Sequence, residues 1–334
     1  MHHRLAVIVA TTALLGGALV AVPPATAAAP TPTVTSVAPR HGSLAGGTRV
    51  RITGSAFSAA SQVMFGSLAA ASVHVSSSTL LYAVTPAHRS SRVDVRVRTA
   101  GGLSAPHYAD SFFYSPAPQV VLDPGHDGGN ASHPSIVNRL VYAGYGRYKA
   151  CNTSGTATDA GYPEHAFTWD VTLRVRRILL AHGIEVVLTR STDTGVGPCV
   201  NVRAAIESRR GTAVSVAIHA DGAPSSGHGF HVNEDSRLPE HATTSTRTHS
   251  RWVSEFLHDA LVRGSGLVPS TYLGTNGYVY RSDLAGLNLT TSPTAFLELG
   301  NMRNPGDAAR LSSPTGRQRI ASAVATGLLA YLGW

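Results

Sequence analysis

The chain has 334 residues, 43% of them hydrophobic and 14% charged, which excludes wholesale disorder and leaves enough apolar material for cores of ordinary size. That length suits two domains better than one. The formal charge is +8, with arginine greatly outnumbering lysine. A basic surface suits an acidic partner such as an anionic wall polymer. No dense Lys/Arg run of the nucleic-acid type is present, so nucleic acid is not the expected partner.

At the N-terminus, Arg4 precedes an apolar stretch over residues 5–22, and Ala25-Thr26-Ala27 has the A-x-A form of a cleavage site. Basic start, apolar run and small-residue exit, in that order, read as a secretory signal over residues 1–27. The stretch is long enough for a membrane anchor to be the alternative. Gly16-Gly17 and Pro23-Pro24 weigh against it. The expectation is an exported, extracytoplasmic protein with no integral span once the signal is removed. Residues 28–33 form an Ala/Pro/Thr linker.

From residue 34 to 115 the texture is of short apolar alternations broken by Gly, Pro and Ser. Val50 and Ile52 lead into Gly54, and Val63-Met64-Phe65 into Gly66. Val93, Val95 and Val97 alternate with Asp94 and Arg96, and Phe112-Phe113-Tyr114 closes the region. Period-two alternation with no helical period predicts a small all-β sandwich. Gly46-Gly47 and Gly54 are read as turn residues. His74, His88 and His107 are scattered and read as surface residues. "SVAPRHGSLAGGTRVRITGSAF", "VMFG", "VRTAGGLSAP" and "SFFY" together resemble the IPT/TIG immunoglobulin-like family. Residues 116–118 form a second linker.

From residue 119 to 334 strands alternate with helices. Val120–Leu122 reads as a buried strand, and residues 164–182 as an amphipathic helix through Phe167, Val171, Val175 and Ile178, ended by Gly183. Residues 184–188 read as a strand, 202–208 as a helix, and 214–218 as a strand. Residues 252–262 follow as a helix with Trp252, Phe256, Leu257 and Leu261 on one face. Residues 294–299 form the last strand and 320–332 the closing helix. The pattern predicts an α/β domain, its sheet mostly parallel with helices on both faces.

Three of these strands end in ionisable residues: Asp123-Pro124-Gly125-His126, His219-Ala220-Asp221 and Glu298. Ligands bind beyond the carboxyl ends of strands in open α/β sheets, so residues distant in sequence can converge there. Glu164, at the start of the first long helix, belongs near the same edge. Two histidines and a carboxylate, with one position left for water, make a hydrolytic zinc site. A separate carboxylate is needed to move the proton. His126, Glu164, His219 and Glu298 supply that set. Each also has a structural reading, as a surface histidine or a first-turn glutamate serving the helix dipole. Glu298, inside the apolar run "TAFLELG", is the hardest to read so, because an unpaired buried charge costs several kcal/mol. Cys151 and Cys199 suggest a disulfide in an exported protein. The alternative, two thiolate metal ligands, lacks any C-x-x-C spacing.

"VVLDPGHDGGN", "YPEHAFTWDVTLRVRRILLAHGIEVVLTR", "AVSVAIHADG" and "TAFLELGNMRNP" resemble, in order, the motifs of the zinc-dependent N-acetylmuramoyl-L-alanine amidases of the AmiC/CwlV type. "CNTSGTATDAGYPEH", "GPCV" and "YRSDLAGLNL" are similar to stretches of the secreted mycobacterial and actinobacterial members. The resemblance implies one Zn2+ held by His126, Glu164 and His219, with Glu298 as the catalytic carboxylate and Cys151 paired with Cys199. His165 is a rival ligand that it disfavours. It implies that Arg203 is structural ahead of contacting a substrate carboxylate. The implied reaction is cleavage of the amide between N-acetylmuramic acid and the L-alanine of the peptidoglycan stem peptide, by a monomer associated with the cell wall. Competing readings are a zinc peptidase acting within the stem peptide and a wall-binding protein without catalysis. Residues 127–163 form a long polar segment between two proposed ligands, read as a disulfide-tethered rim of the substrate groove.

Overall fold

The computed structural model describes residues 28–334; the expected signal at residues 1–27 lies outside the described residues. The N-terminal part is a two-sheet sandwich. One sheet orders its strands Thr33–Ala38, Arg49–Ser55, Leu80–Val84, Ser72–Ser77. The other runs His41–Ser43, Ser111–Ser115, Ser91–Thr99, Gln62–Phe65, Leu68–Ala69, with Gly102–Leu103 also on Ser91–Thr99. The period of two puts Val50, Ile52 and Leu81 from one sheet against Val63, Phe65, Val95, Val97 and Phe112 from the other. Phe65 and Phe112 meet edge to face at 5.3 Å. Gly54 is not the turn residue its sequence context suggests. It lies inside a strand, where a Cβ would run into the Thr33 carbonyl of the neighbouring strand.

The second part contains, in chain order, strands β1 (Gln119–Pro124), β2 (Leu140–Gly144), β3 (Arg147–Ala150), β4 (Glu185–Leu188), β5 (Thr212–Asp221), β6 (His231–Asp235), β7 (Tyr278–Arg281) and β8 (Thr294–Asn301). Its helices are α1 (Pro134–Val137), α2 (Glu164–Ala181), α3 (Val200–Glu207), α4 (Thr244–Gly264), α5 (Ala285–Asn288), α6 (Pro305–Ser312) and α7 (Pro314–Leu332). Strands β2 and β3 make a separate hairpin, and the rest form one sheet in the order β4-β1-β5-β8-β6-β7. The first four are parallel; β6 runs antiparallel to β8 and parallel to β7.

The two faces of this sheet differ in chemistry. Val214, Val216 and Ile218 of β5 and Ala295, Leu297 and Leu299 of β8 enter an apolar core with Phe167, Val171, Val175 and Leu179 of α2. Helices α4 and α7 complete that layer. The alternate residues of the same strands, Ser215 and His219, Phe296 and Glu298, face the other way, toward α3 and α5. A single alternation therefore builds the core and presents the ionisable groups.

Helix α4 corrects one expectation. Its buried face is Val253, Leu257, Ala260 and Leu261, whereas Trp252 and Phe256 are 47% and 42% exposed. The helix also begins two turns earlier than the apolar spacing suggests. Thr243 caps it by accepting from the Thr246 backbone N–H, so the start is set by capping rather than by apolar residues. Among the described residues, no helix is long and apolar enough to cross a membrane.

Candidate metal centre and cleft

His126 follows β1 in a left-handed conformation with φ of 61°. Its Nδ1 donates to the Thr153 carbonyl at 2.9 Å, which turns Nε2 inward to 3.0 Å from Glu164 Oε1. His219, on β5, stacks on Phe296 at 4.5 Å and places Nδ1 3.0 Å from the same oxygen. Glu164 opens α2, where its Oε1 accepts from the Ala220 N–H at 3.2 Å and its Oε2 from the Thr156 N–H at 3.0 Å. Gly125 is required beside them, because a Cβ there would strike the His219 ring. The three ligand atoms lie within 4.8 Å of one another. Two imidazole nitrogens and one carboxylate oxygen converging in a buried corner fit a zinc ion with an open position.

Burial opposes the charge on Glu164, but both histidines outweigh it and hold the carboxyl far below its usual range. For His126 burial is likewise outweighed, by Glu164, and its pKa rises. Burial dominates at His219, whose pKa falls.

Glu298 pairs in register with His219 on the adjacent parallel strand. Its Oε2 is buried without a hydrogen-bond partner among the described residues. Burial and the Glu164 and Asp221 carboxylates push its pKa well above the carboxylate range, against the pull of Arg281. The four residues selected from the sequence thus line one cavity of about 450 Å³.

His165 does not join them; its Nδ1 lies 2.9 Å from Asp193 Oδ2. Arg203 is bound inside the protein. It donates to Asp123 Oδ1 at 2.6 Å, to the Pro124 carbonyl at 2.7 Å, to the His126 carbonyl at 2.8 Å and to the Pro198 carbonyl at 2.9 Å. It therefore braces the turn that carries His126. Cys151 and Cys199 form a disulfide, two residues from Thr153. The segment 127–163 is not a plain loop: it holds α1 and the β2–β3 hairpin, and Lys149 to Thr156 wall the cavity. Thr153 and Thr156, which orient His126 and Glu164 through backbone groups, were not singled out in the sequence; they lie inside the stretch "CNTSGTATDAGYPEH" that carries the resemblance.

A family model for N-acetylmuramoyl-L-alanine amidase matches residues 120–330, and one for the IPT/TIG domain matches residues 32–114. The N-acetylmuramoyl-L-alanine amidase Rv3717 of Mycobacterium tuberculosis is 43% identical over 213 residues, which cover 64% of this chain and 86% of that protein. Amidase Ami1 of Mycobacterium smegmatis superposes with a TM-score of 0.61 at 44% identity, covering 65% of this chain and 97% of that one. Ami1 of Mycobacterium abscessus gives a TM-score of 0.61 at 46% identity, covering 64% and 98%. With this fold and cleft, and a family model that spans most of it, the chain belongs to the N-acetylmuramoyl-L-alanine amidase family, with an IPT/TIG domain in front of the catalytic one.

Proposed function

We propose that the chain is an exported, monomeric, zinc-dependent peptidoglycan amidase that cleaves the bond between N-acetylmuramic acid and the L-alanine of the stem peptide. The observation that carries the metal reading is the pair of 3.0 Å approaches of His126 Nε2 and His219 Nδ1 to Glu164 Oε1. Zinc held there would polarise the amide carbonyl and activate the attacking water. Glu298 accepts the proton of that water and returns it to the alanine nitrogen as the C–N bond breaks. The Thr153 carbonyl keeps His126 in the tautomer whose Nε2 is free to bind. Residues 119–334 carry the chemistry, residues 34–115 an accessory role at the wall, and residues 1–27 the export signal.

The test is digestion of peptidoglycan by the purified protein, with and without a chelator, with the products identified by mass spectrometry. Free stem peptides beginning at L-alanine, lost with chelator and restored by zinc, are expected. Cleavage within the peptide would make the chain a peptidase. Binding without cleavage would make it a wall-binding protein.

A further inference from the structure

Lys149 is the only lysine in the sequence, against 26 arginines. It lies on β3, one residue before the end of the β2–β3 hairpin, and lines the cavity that holds the His126, Glu164 and His219 cluster. Two other cations line that cavity, Arg203 and Arg281. The Arg203 guanidinium is committed to Asp123 and to three backbone carbonyls. Arg281 and Lys149 are different. Arg281 is held from one side by Asp283, through Nε at 2.9 Å and Nη2 at 2.7 Å, so Nη1 takes no part in the pair. Lys149 Nζ donates one bond, to the Asp283 carbonyl at 3.1 Å, and keeps two N–H groups. Asp283 thus anchors both cations side by side. They are close enough for burial and Arg281 together to lower the Lys149 pKa, against the pull of Asp283.

The carboxylates on the rest of the lining have partners of their own, Asp123 in Arg203 and Glu164 in His126 and His219. The N–H groups of Lys149 and Arg281 that Asp283 leaves over are the ones that can take an anionic group of a bound peptide. The stem peptide carries carboxyl groups beyond its alanine, either free or as carboxamides. We propose that Lys149 and Arg281 form a carboxylate subsite that binds the first free carboxyl group beyond the alanine at the scissile bond, making the enzyme discriminate acid from amide at that position. The inference rests on the reading of this cavity as the site of amide cleavage. Lys149 brings a compact charge on a flexible stem, and Arg281 a fork already oriented by Asp283. Together they fix the direction in which the peptide lies across the metal centre.

Two soluble disaccharide-peptide fragments test this, identical except that the carboxyl group is free in one and a carboxamide in the other. The wild-type protein should cleave the acid with kcat/KM about tenfold higher, mostly through KM, as charge-assisted hydrogen bonds of ordinary strength would give. Lys149→Met should bring the ratio of the two rates to within about twofold of unity, and Lys149→Arg should restore most of it. Equal rates with the wild type, or a ratio that survives Lys149→Met, would overturn the subsite. Loss of both activities by the same factor would overturn it too, while leaving the metal-centre reading intact. That reading falls instead if His219→Ala retains zinc and turnover. A second measurement needs no substitution. Reductive methylation with labelled formaldehyde tags one side chain, Lys149, besides the terminal amine. Its methyl resonance should shift on adding the γ-methylamide of L-Ala-D-Glu, whose α-carboxyl is free, and stay in place with the γ-methylamide of L-Ala-D-isoglutamine, which has no free carboxyl; the same response to both would overturn the proposal.

Discussion

Glu298 and Glu207 are both buried carboxylates with one unpartnered oxygen each among the described residues, and their surroundings differ. Glu298 opens onto the cavity, with one oxygen unpartnered and the metal corner beside it. Glu298→Gln keeps the shape and removes the proposed base. Turnover should fall roughly 10²- to 10⁴-fold, with zinc content by elemental analysis unchanged; loss of zinc along with activity would place Glu298 among the ligands instead. Glu207, the last residue of α3, is fully buried, with Thr290 Oγ1 donating to it at 2.7 Å and no cation in a salt bridge with it among the described residues. Burial and then Asp123 raise its pKa well above the usual value. A carboxyl raised in the folded state contributes stability that is fully present below the unfolded pKa of about 4 and is lost as pH rises toward the folded value. Glu207→Gln mimics the protonated form. Its melting temperature relative to wild type should climb between about pH 5 and 8; a gap that stays constant across that window would mean Glu207 is ionised.

At the level of elements, what could be read from the sequence was whatever apolar periodicity recorded. Strands β1, β5 and β8 and helix α2 are buried on a full face and appear as apolar runs or spacings of four. Helix α6 begins with an Asn304 cap and Pro305 and has few apolar residues to show a period. Strands β6 and β7 mix His, Asn, Glu and Tyr, because one of their faces meets polar groups rather than a core. The hairpin is fastened by polar side chains, Tyr142 to Glu240 at 2.8 Å and Tyr145 to Asp235 at 2.8 Å, which leave no hydrophobic pattern. That the four candidate residues line one cavity was legible for a different reason: each follows or interrupts an apolar strand or opens a helix, where a bare charge is costly. The brace between β1 and α3 makes the same point in reverse. Asp123 is buried, yet Arg203 and Thr189 overcome the burial cost and lower its pKa. Arg203→Met leaves that charge alone and should cost about 3–5 kcal/mol in urea unfolding. Adding Asp123→Leu should recover much of the loss; a double variant no better than the single one would show that the backbone bonds of Arg203 to the His126 turn matter more than the ion pair.

The two cores of the whole molecule share no buried residue, so each part has its own source of stability. Charge is divided as unevenly as chemistry. Residues 34–115 carry seven arginines against Asp94 and Asp110, whereas residues 119–334 carry 19 cations against 17 acids. Most of the net positive charge therefore belongs to the part with no catalytic cluster. Arg49, Arg51, Arg89, Arg92 and Arg98 are all exposed, so the sandwich suits attraction to an anionic wall, and the nearly neutral catalytic part is left to recognise its peptide locally. Exposed charges act over about 8 Å at physiological salt and less at higher salt. Removing residues 34–118 should leave kcat/KM on soluble fragments within about twofold of the full chain, as independent cores require. Retention on insoluble peptidoglycan at low salt should drop several-fold, and the two proteins should converge as salt rises. A deletion that changes retention equally at all salt concentrations would assign the sandwich a contact of another kind. If retention did not change at all, the sandwich would be a spacer, and its arginines would serve solubility alone.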